Sequence, residues 1–158
     1  MLQKPRRGWW FLPGGKLEPT ELWPEAASRE VREETGLNVY GLHLRGVFLL
    51  TILGEPNHPP TMRTIVQFSA DYADGAMFEH TREGILRIVS EQELSDLPMD
   101  LGDKRMLKHT LRAISERDSQ VAFGRFTYTP EHHLLDWSIL PEGMLAQTQA
   151  NAWEENHP

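Results

Sequence analysis

Residues Gly15 to Leu37 read GKLEPTELWPEAASREVREETGL. Pro24 suits a first helical turn, where a missing N–H costs nothing. Gly36 stands where a left-handed C-terminal residue belongs. The pattern predicts a helix over 21–35. Three carboxylates, Glu30, Glu33 and Glu34, fall within five residues of it. Counted at about 100° per residue from Ala26, Glu33 lies at about −20°, Glu30 at about 40° and Glu34 at about 80°. The apolar residues Ala27 and Val31 lie at about 100° and 140°, so the acids adjoin the apolar side, while Ser28 and Arg32 face away. A solvated charged face would instead point away from that side. Like charges at i,i+3 and i,i+4 cost about 0.2–0.5 kcal/mol each, a penalty that a bound divalent cation reverses. Mg²⁺ takes oxygen ligands, keeps several waters, and binds through a few carboxylates plus substrate phosphate. Arg29 reads either as solvated or as a guanidinium that fixes a neighbouring glutamate by a bidentate contact. Gly14 and Gly15 are either a plain turn or a place where backbone closely approaches metal or phosphate.

Charge changes sign across this region. Lys4, Arg6, Arg7 and Lys16 precede any acid, and Glu18, Glu21, Glu25, Glu30, Glu33 and Glu34 then face only Arg29 and Arg32. The net charge of −7 argues against a stable nucleic-acid partner. It leaves room for a small anionic substrate handled through metal or local cations. There is no cysteine, which excludes disulfides and thiolate metal sites and fits a reducing cytoplasm, the expected location. No apolar run approaches the roughly 20 residues of a membrane span, and no leader pattern is visible.

The 158 residues predict a single domain over 1–145, with a C-terminal hairpin at about 120–140 and a polar tail over 146–158. Strand signals fall at 2–4, 8–12, 47–53, 64–72 and 84–90, the third and fourth forming a hairpin across the loop 55–60. Ser90 with Glu93 forms a capping box before a short helix to Leu97. A longer helix spans 103–117, with Leu107, Leu111 and Ile114 as its apolar stripe. Strands at 121–128 and 133–139 close the hairpin around Pro130. The expected class is α/β (α+β) with a mixed sheet.

Gly15-x5-Glu21-x7-Arg29-Glu30-Val31-x-Glu33-Glu34-x-Gly36-Leu37 resembles the complete Nudix box, and its seven fixed positions make the match specific. The run Gly8-Trp9-Trp10-Phe11-Leu12-Pro13-Gly14-Gly15-Lys16 resembles the usual lead into that box. Residues 2–10 and the segment from Phe123 to Pro130 look like a MutT-type subgroup of Gram-positive bacteria, often labelled 8-oxo-dGTP diphosphatase. The resemblance implies an α/β/α sandwich and Mg²⁺- or Mn²⁺-dependent hydrolysis of a nucleoside diphosphate linked to another group. Glu30, Glu33 and Glu34 match the metal-binding glutamates, Gly15 the glycine whose carbonyl often ligates metal, and Arg29 the arginine that orients the glutamates. Glu83 sits where a later-loop glutamate usually falls, although it reads equally as a solvated loop acid. The base that activates water is one of these glutamates, and the resemblance does not say which.

Arg6 and Lys16 are candidates for phosphate contacts. Asp103 lies near the position that reads the base in MutT-like enzymes, and reads equally as the N-cap of the long helix. Trp9, Trp10 and Phe11 read as strand core more readily than as a base platform. The family's first strand has no counterpart here, and only 2–4 remains of the second. That predicts either a gap filled by the C-terminal hairpin or an exposed sheet edge open to a homodimer. The strand after Gly84 also lacks the family's usual tryptophan. The proline and tyrosine that mark ADP-ribose and dinucleoside polyphosphate enzymes are missing near Thr51 and around Ile52 to Gly54. A nucleoside triphosphate is therefore the favoured substrate, ahead of those derivatives or an RNA 5′ end. A non-catalytic nucleotide sensor is the remaining alternative, and the intact glutamate set argues against it.

Overall fold

The computed structural model describes residues 1–5, 8–81 and 84–141. Arg6, Glu83 and the tail from 146 lie outside them. The expected mixed α and β class is what the chain adopts, with two α-helices and three sheets among the described residues. Contacts divide the described residues into two compact units, one drawn from 1–45 and 66–119, the other from 46–65 and 120–141.

In the first unit, β1 (Leu2–Gln3) and β2 (Trp10–Phe11) precede helix α1 (Trp23–Thr35), and β3 (Leu37–Tyr40) follows it directly. Helix α1 begins two residues later than the expected 21. The Glu25 carboxylate accepts the Leu22 N–H at 2.7 Å, which closes the first turn around Pro24. At the other end Gly36 adopts φ 79° and donates its N–H to the Arg32 carbonyl at 2.9 Å. Only glycine takes that conformation without strain. After β4 (His43–Ile52) and β5 (Thr61–Ser69), most of whose residues belong to the other unit, come β6 (Tyr72–Gly75), β7 (His80–Thr81) and β8 (Gly84–Leu86). Strands β3 and β6 form an antiparallel ribbon from Leu37↔Gly75 to Tyr40↔Tyr72. The sequence pattern missed this ribbon because β6 is exposed throughout and carries no alternation.

Strand β1 is not an open edge. Leu2 pairs with both Phe11 and Leu86, so β1 lies inside the order β2-β1-β8-β7. The strands expected at 8–12 and 84–90 shrink to two and three residues. Trp10 is core, packed with Leu97 and Met99 against Met1, Val89, Leu94 and Leu107. The short helix after Ser90 is a 3-10 turn, Glu91–Ser95, and the Glu93 carboxylate accepts the Ser90 N–H at 2.8 Å.

Helix α2 (Leu101–Ser115) departs from expectation at both its start and its inward face. Its N-cap is Asp100, not Asp103: the Asp100 carboxylate accepts N–H groups from Gly102 at 2.8 Å and Asp103 at 3.4 Å. Its buried residues are Gly102, Met106, Thr110 and Ala113, whereas Ile114 is 42% exposed. Of the expected stripe, Leu107 packs against the Trp10 cluster and Leu111 is half-buried, while Ile114 lies off the core. Thr110 is accommodated because its hydroxyl donates to the buried Gln67 side chain at 3.2 Å.

In the second unit, β9 (Ala122–Tyr128) runs parallel to β4 from Gly46↔Ala122 to Ile52↔Tyr128 and antiparallel to β10 (Leu134–Leu140). The expected C-terminal hairpin thus forms, beside β4, and makes the sheet mixed. Phe48 and Phe126 are fully buried and meet edge to face at 6.0 Å.

Replacing Asp100 by Ala removes the cap and should cost about 1 kcal/mol, while Asn retains most of it. Urea unfolding of the two variants checks this, and equal midpoints for Asp100→Ala and wild type would contradict the assigned cap.

Candidate active site

Arg29 organises the segment before α1. Its Nε and Nη2 donate to the two oxygens of Glu21 at 2.8 and 3.0 Å, a bidentate pair. Nη1 donates to Glu30 at 2.8 Å and, more loosely, to Glu33 at 3.3 Å. Nη2 also donates to the Lys16 carbonyl at 3.1 Å. Glu21 in turn accepts the Glu18 N–H at 3.0 Å. Hydrogen bonds from Arg29, and then from that amide, hold the Glu21 carboxyl below its usual pKa, while its partners Glu21 and Glu30 push the Arg29 guanidinium up.

The Gly14-Gly15 turn lies against the same helix face. The Gly14 N–H donates to Glu34 at 2.9 Å. A Cβ on Gly15 would require the Glu30 carboxylate to shift, so glycine here lets that acid lie against the turn. Glu30 is the enclosed acid, its side chain 16% exposed, and Glu33 the open one at 62%.

Each sequence-predicted residue can now be placed. Gly15, Arg29, Glu30, Glu33 and Glu34 share this region. Lys16 contributes its carbonyl to Arg29, and the residue itself is exposed. Asp103 is half-buried in the first turn of α2. Arg6 and Glu83 lie outside the described residues. Glu21 is the member missed as a site residue. Its fixed place in the box was the available signal.

Among the described residues, no three His, Asp or Glu side chains converge on one point. Glu30 and Glu33 rest on Arg29 and Glu34 on the Gly14 amide. The donor set nevertheless fits Mg²⁺ or Mn²⁺: it consists of carboxylates and backbone carbonyls, with no soft ligand. Four carboxylates (Glu21, Glu30, Glu33, Glu34) around one guanidinium leave a local charge of −3, which favours a divalent cation. Residues that would hold it are Glu30, Glu33, Glu34 and Gly15.

The opposite flank of α1 is not bare solvent. Ser28 and Arg32, expected to face away, line a cavity of about 600 Å³ together with Arg29, Glu33, Tyr40 and Phe78.

An acid-bearing helix clasped to a glycine turn, in a mixed α and β chain, is the arrangement the sequence motif implies. The comparisons make the family specific. The NUDIX domain model matches residues 2–110. The chain is 36% identical to the Nudix hydrolase YvcI of Bacillus subtilis (strain 168) over 142 residues, 90% of this chain and 86% of that protein. The crystal structure of the mutator MutT protein from Bacillus halodurans superposes with a TM-score of 0.80 at 38% identity, covering 89% of this chain and 88% of that one. YtkD of Bacillus subtilis, whose name proposes an 8-oxo-dGTP diphosphatase, is 55% identical over 49 residues, 31% of this chain and 29% of that protein. The chain belongs to the Nudix family and is a MutT-like Nudix pyrophosphohydrolase. None of its described helices is long and apolar enough to cross a membrane.

Because the Glu21 carboxyl is held below its ordinary value of 4.5, its stabilising contribution is complete above that pH. It is lost as pH falls through the lowered folded value. The gap in Tm between wild type and Glu21→Gln should therefore stay constant above pH 4.5 and narrow below it. Thermal scans by circular dichroism across pH 3 to 7 (roughly the carboxylate range) check this. A gap that widens in acid would rule out the pairing.

Proposed function

We propose that this chain hydrolyses a nucleoside triphosphate to the monophosphate and pyrophosphate, with an oxidised guanine nucleotide such as 8-oxo-dGTP as the leading candidate. The reading is carried by Arg29 holding Glu21, Glu30 and Glu33 beside the Gly14-Gly15 turn. The partial match to YtkD supports the oxidised nucleotide, and the missing proline and tyrosine signposts favour a triphosphate over ADP-ribose or a dinucleoside polyphosphate.

When bound, Mg²⁺ or Mn²⁺ neutralises phosphate charge and lowers the pKa of water. Glu30, Glu33, Glu34 and the Gly15 carbonyl are its proposed ligands, with Glu83 as a further one. Arg29 holds Glu30 and Glu33 in place, so their rotamer order is set before substrate arrives. Glu33 is the acid held most loosely and exposed most. We assign it the proton of the attacking water. The water oxygen forms the new bond to phosphorus, the bridging P–O bond breaks, and pyrophosphate leaves with that bond's electron pair. Lys16 and Arg6 are the proposed cationic contacts to the phosphates, and Asp103 a contact to the base.

Glu33→Gln keeps the size and hydrogen-bonding capacity of the side chain but cannot take a proton. It should slow Mg²⁺-dependent pyrophosphate release by about 10²-fold or more, and chelation of the metal should abolish release in wild type. Rates equal to wild type would remove the catalytic assignment. Comparison of 8-oxo-dGTP with dGTP decides the substrate, and equal kcat/KM for the two would remove the preference for the oxidised base.

A further inference from the structure

Glu21 reaches Arg29 because the chain reverses direction just before it. Residues 18–21 form a turn closed twice over. The Glu21 N–H donates to the Glu18 carbonyl at 3.2 Å, and the Glu18 N–H donates to the Glu21 carboxylate at 3.0 Å. Pro19 takes the second position of that turn and Thr20 the third, with φ 73°. Proline second and a positive φ third mark a type II turn, whose third position calls for glycine or asparagine. Threonine suits it badly, because two heavy atoms on Cβ crowd the backbone in the left-handed region. Three non-glycine residues have positive φ among the described residues: Thr20, Arg117 and His132. Thr20 is the one branched at Cβ. Its side chain is exposed and takes no part in the bonds that close the turn. The conformation is thus imposed on Thr20 by its surroundings. The strongest bonds available to impose it lie at the next residue, where Glu21 accepts from Nε and Nη2 of Arg29 at 2.8 and 3.0 Å. Relaxing residue 20 to negative φ would redirect Glu21 away from Arg29.

We propose that Thr20 is a positioning residue of the acid cluster. Its left-handed conformation delivers the Glu21 carboxylate to Arg29, and the Arg29 pair in turn holds the strain at residue 20. With one edge of the guanidinium fixed by Glu21, Nη1 is directed at Glu30 and Glu33. Those are acids that the hydrolase reading assigns to the metal. The metal rests on that reading, whereas the coupling of residue 20 to the Arg29 pair is a property of the chain alone.

A thermal-unfolding cycle on the full chain tests the coupling. Thr20→Gly should raise Tm by about 2–4 °C, because glycine takes a positive φ freely. In Glu21→Ala the turn is free to relax, and the same glycine substitution should give no rise. An equal rise in both backgrounds, or no rise in the first, would overturn the proposal. Titration with Mn²⁺, followed by electron paramagnetic resonance of the free ion, gives a second measure. Thr20→Gly and Thr20→Asn should bind Mn²⁺ as wild type does. Thr20→Pro, whose ring forbids positive φ, should bind it about tenfold more weakly. Wild-type affinity in Thr20→Pro would count against the proposal, as would glycine and asparagine variants weakened as much as proline. If Thr20→Pro fails to fold by circular dichroism, the Tm cycle decides. A wild type that binds no Mn²⁺, with Thr20→Gly stabilising only while Glu21 is present, would sink the hydrolase reading and uphold the positioning role.

Discussion

The five N–H donors of Arg29 all find oxygen acceptors: two on Glu21, one each on Glu30 and Glu33, and the carbonyl of Lys16. A guanidinium is planar and its donors have fixed directions, so satisfying all five fixes Lys16 and Glu21 of the preceding loop, and two acids of the helix, at once. A lysine in this place would supply the charge without that geometry. The glutamates themselves repel, and Arg29 offsets only part of the repulsion. What remains is an ordered set of oxygens with an excess of negative charge. That state invites a divalent cation, and substrate phosphate alone would be repelled by it.

The start of α1 matters to this arrangement. A helix beginning at Glu21 would set residue 29 about 12 Å away along the axis, beyond reach of a bidentate contact. Because the helix begins at Trp23, Glu21 stays in the preceding loop and folds back onto Arg29. Glu25 closes the first turn in its stead by accepting the Leu22 N–H. The loop is then drawn against the helix, which brings Gly15 onto Glu30 and the Gly14 amide onto Glu34. A larger residue at 15 would require the Glu30 carboxylate to shift away from the turn.

These dependences explain what sequence pattern could and could not show. The extent of α1 and the shared arc of its acids follow from a 3.6-residue period and from local caps, all encoded within a few residues. The inward face of α2 does not. Counting apolar residues selects Leu107, Leu111 and Ile114, but Thr110 faces inward because Gln67, forty-three positions earlier, satisfies its hydroxyl. A small Gly102 and Ala113 on that face record close packing, which hydrophobicity does not report. The ribbon of β3 and β6 was invisible for a related reason: the fully exposed β6 has no buried side to alternate with. Glu21 was legible as a fixed position of the motif, yet its role depends on a contact eight residues away.

The two flanks of α1 differ in how tightly their side chains are held, and the difference bears on chemistry. Glu30 is enclosed between Arg29 and Gly15 and has little freedom to change partner. Glu33 keeps one longer bond to Arg29 and remains 62% exposed. A group that must exchange a proton with water has to retain solvent access and a partner it can release, and Glu33 meets both conditions more fully than Glu30. A rigid helix can present both kinds of carboxylate three residues apart, because neighbouring positions on one face meet different surroundings. Glu33 stands at the boundary between the clasped acids and the aromatic-lined cavity.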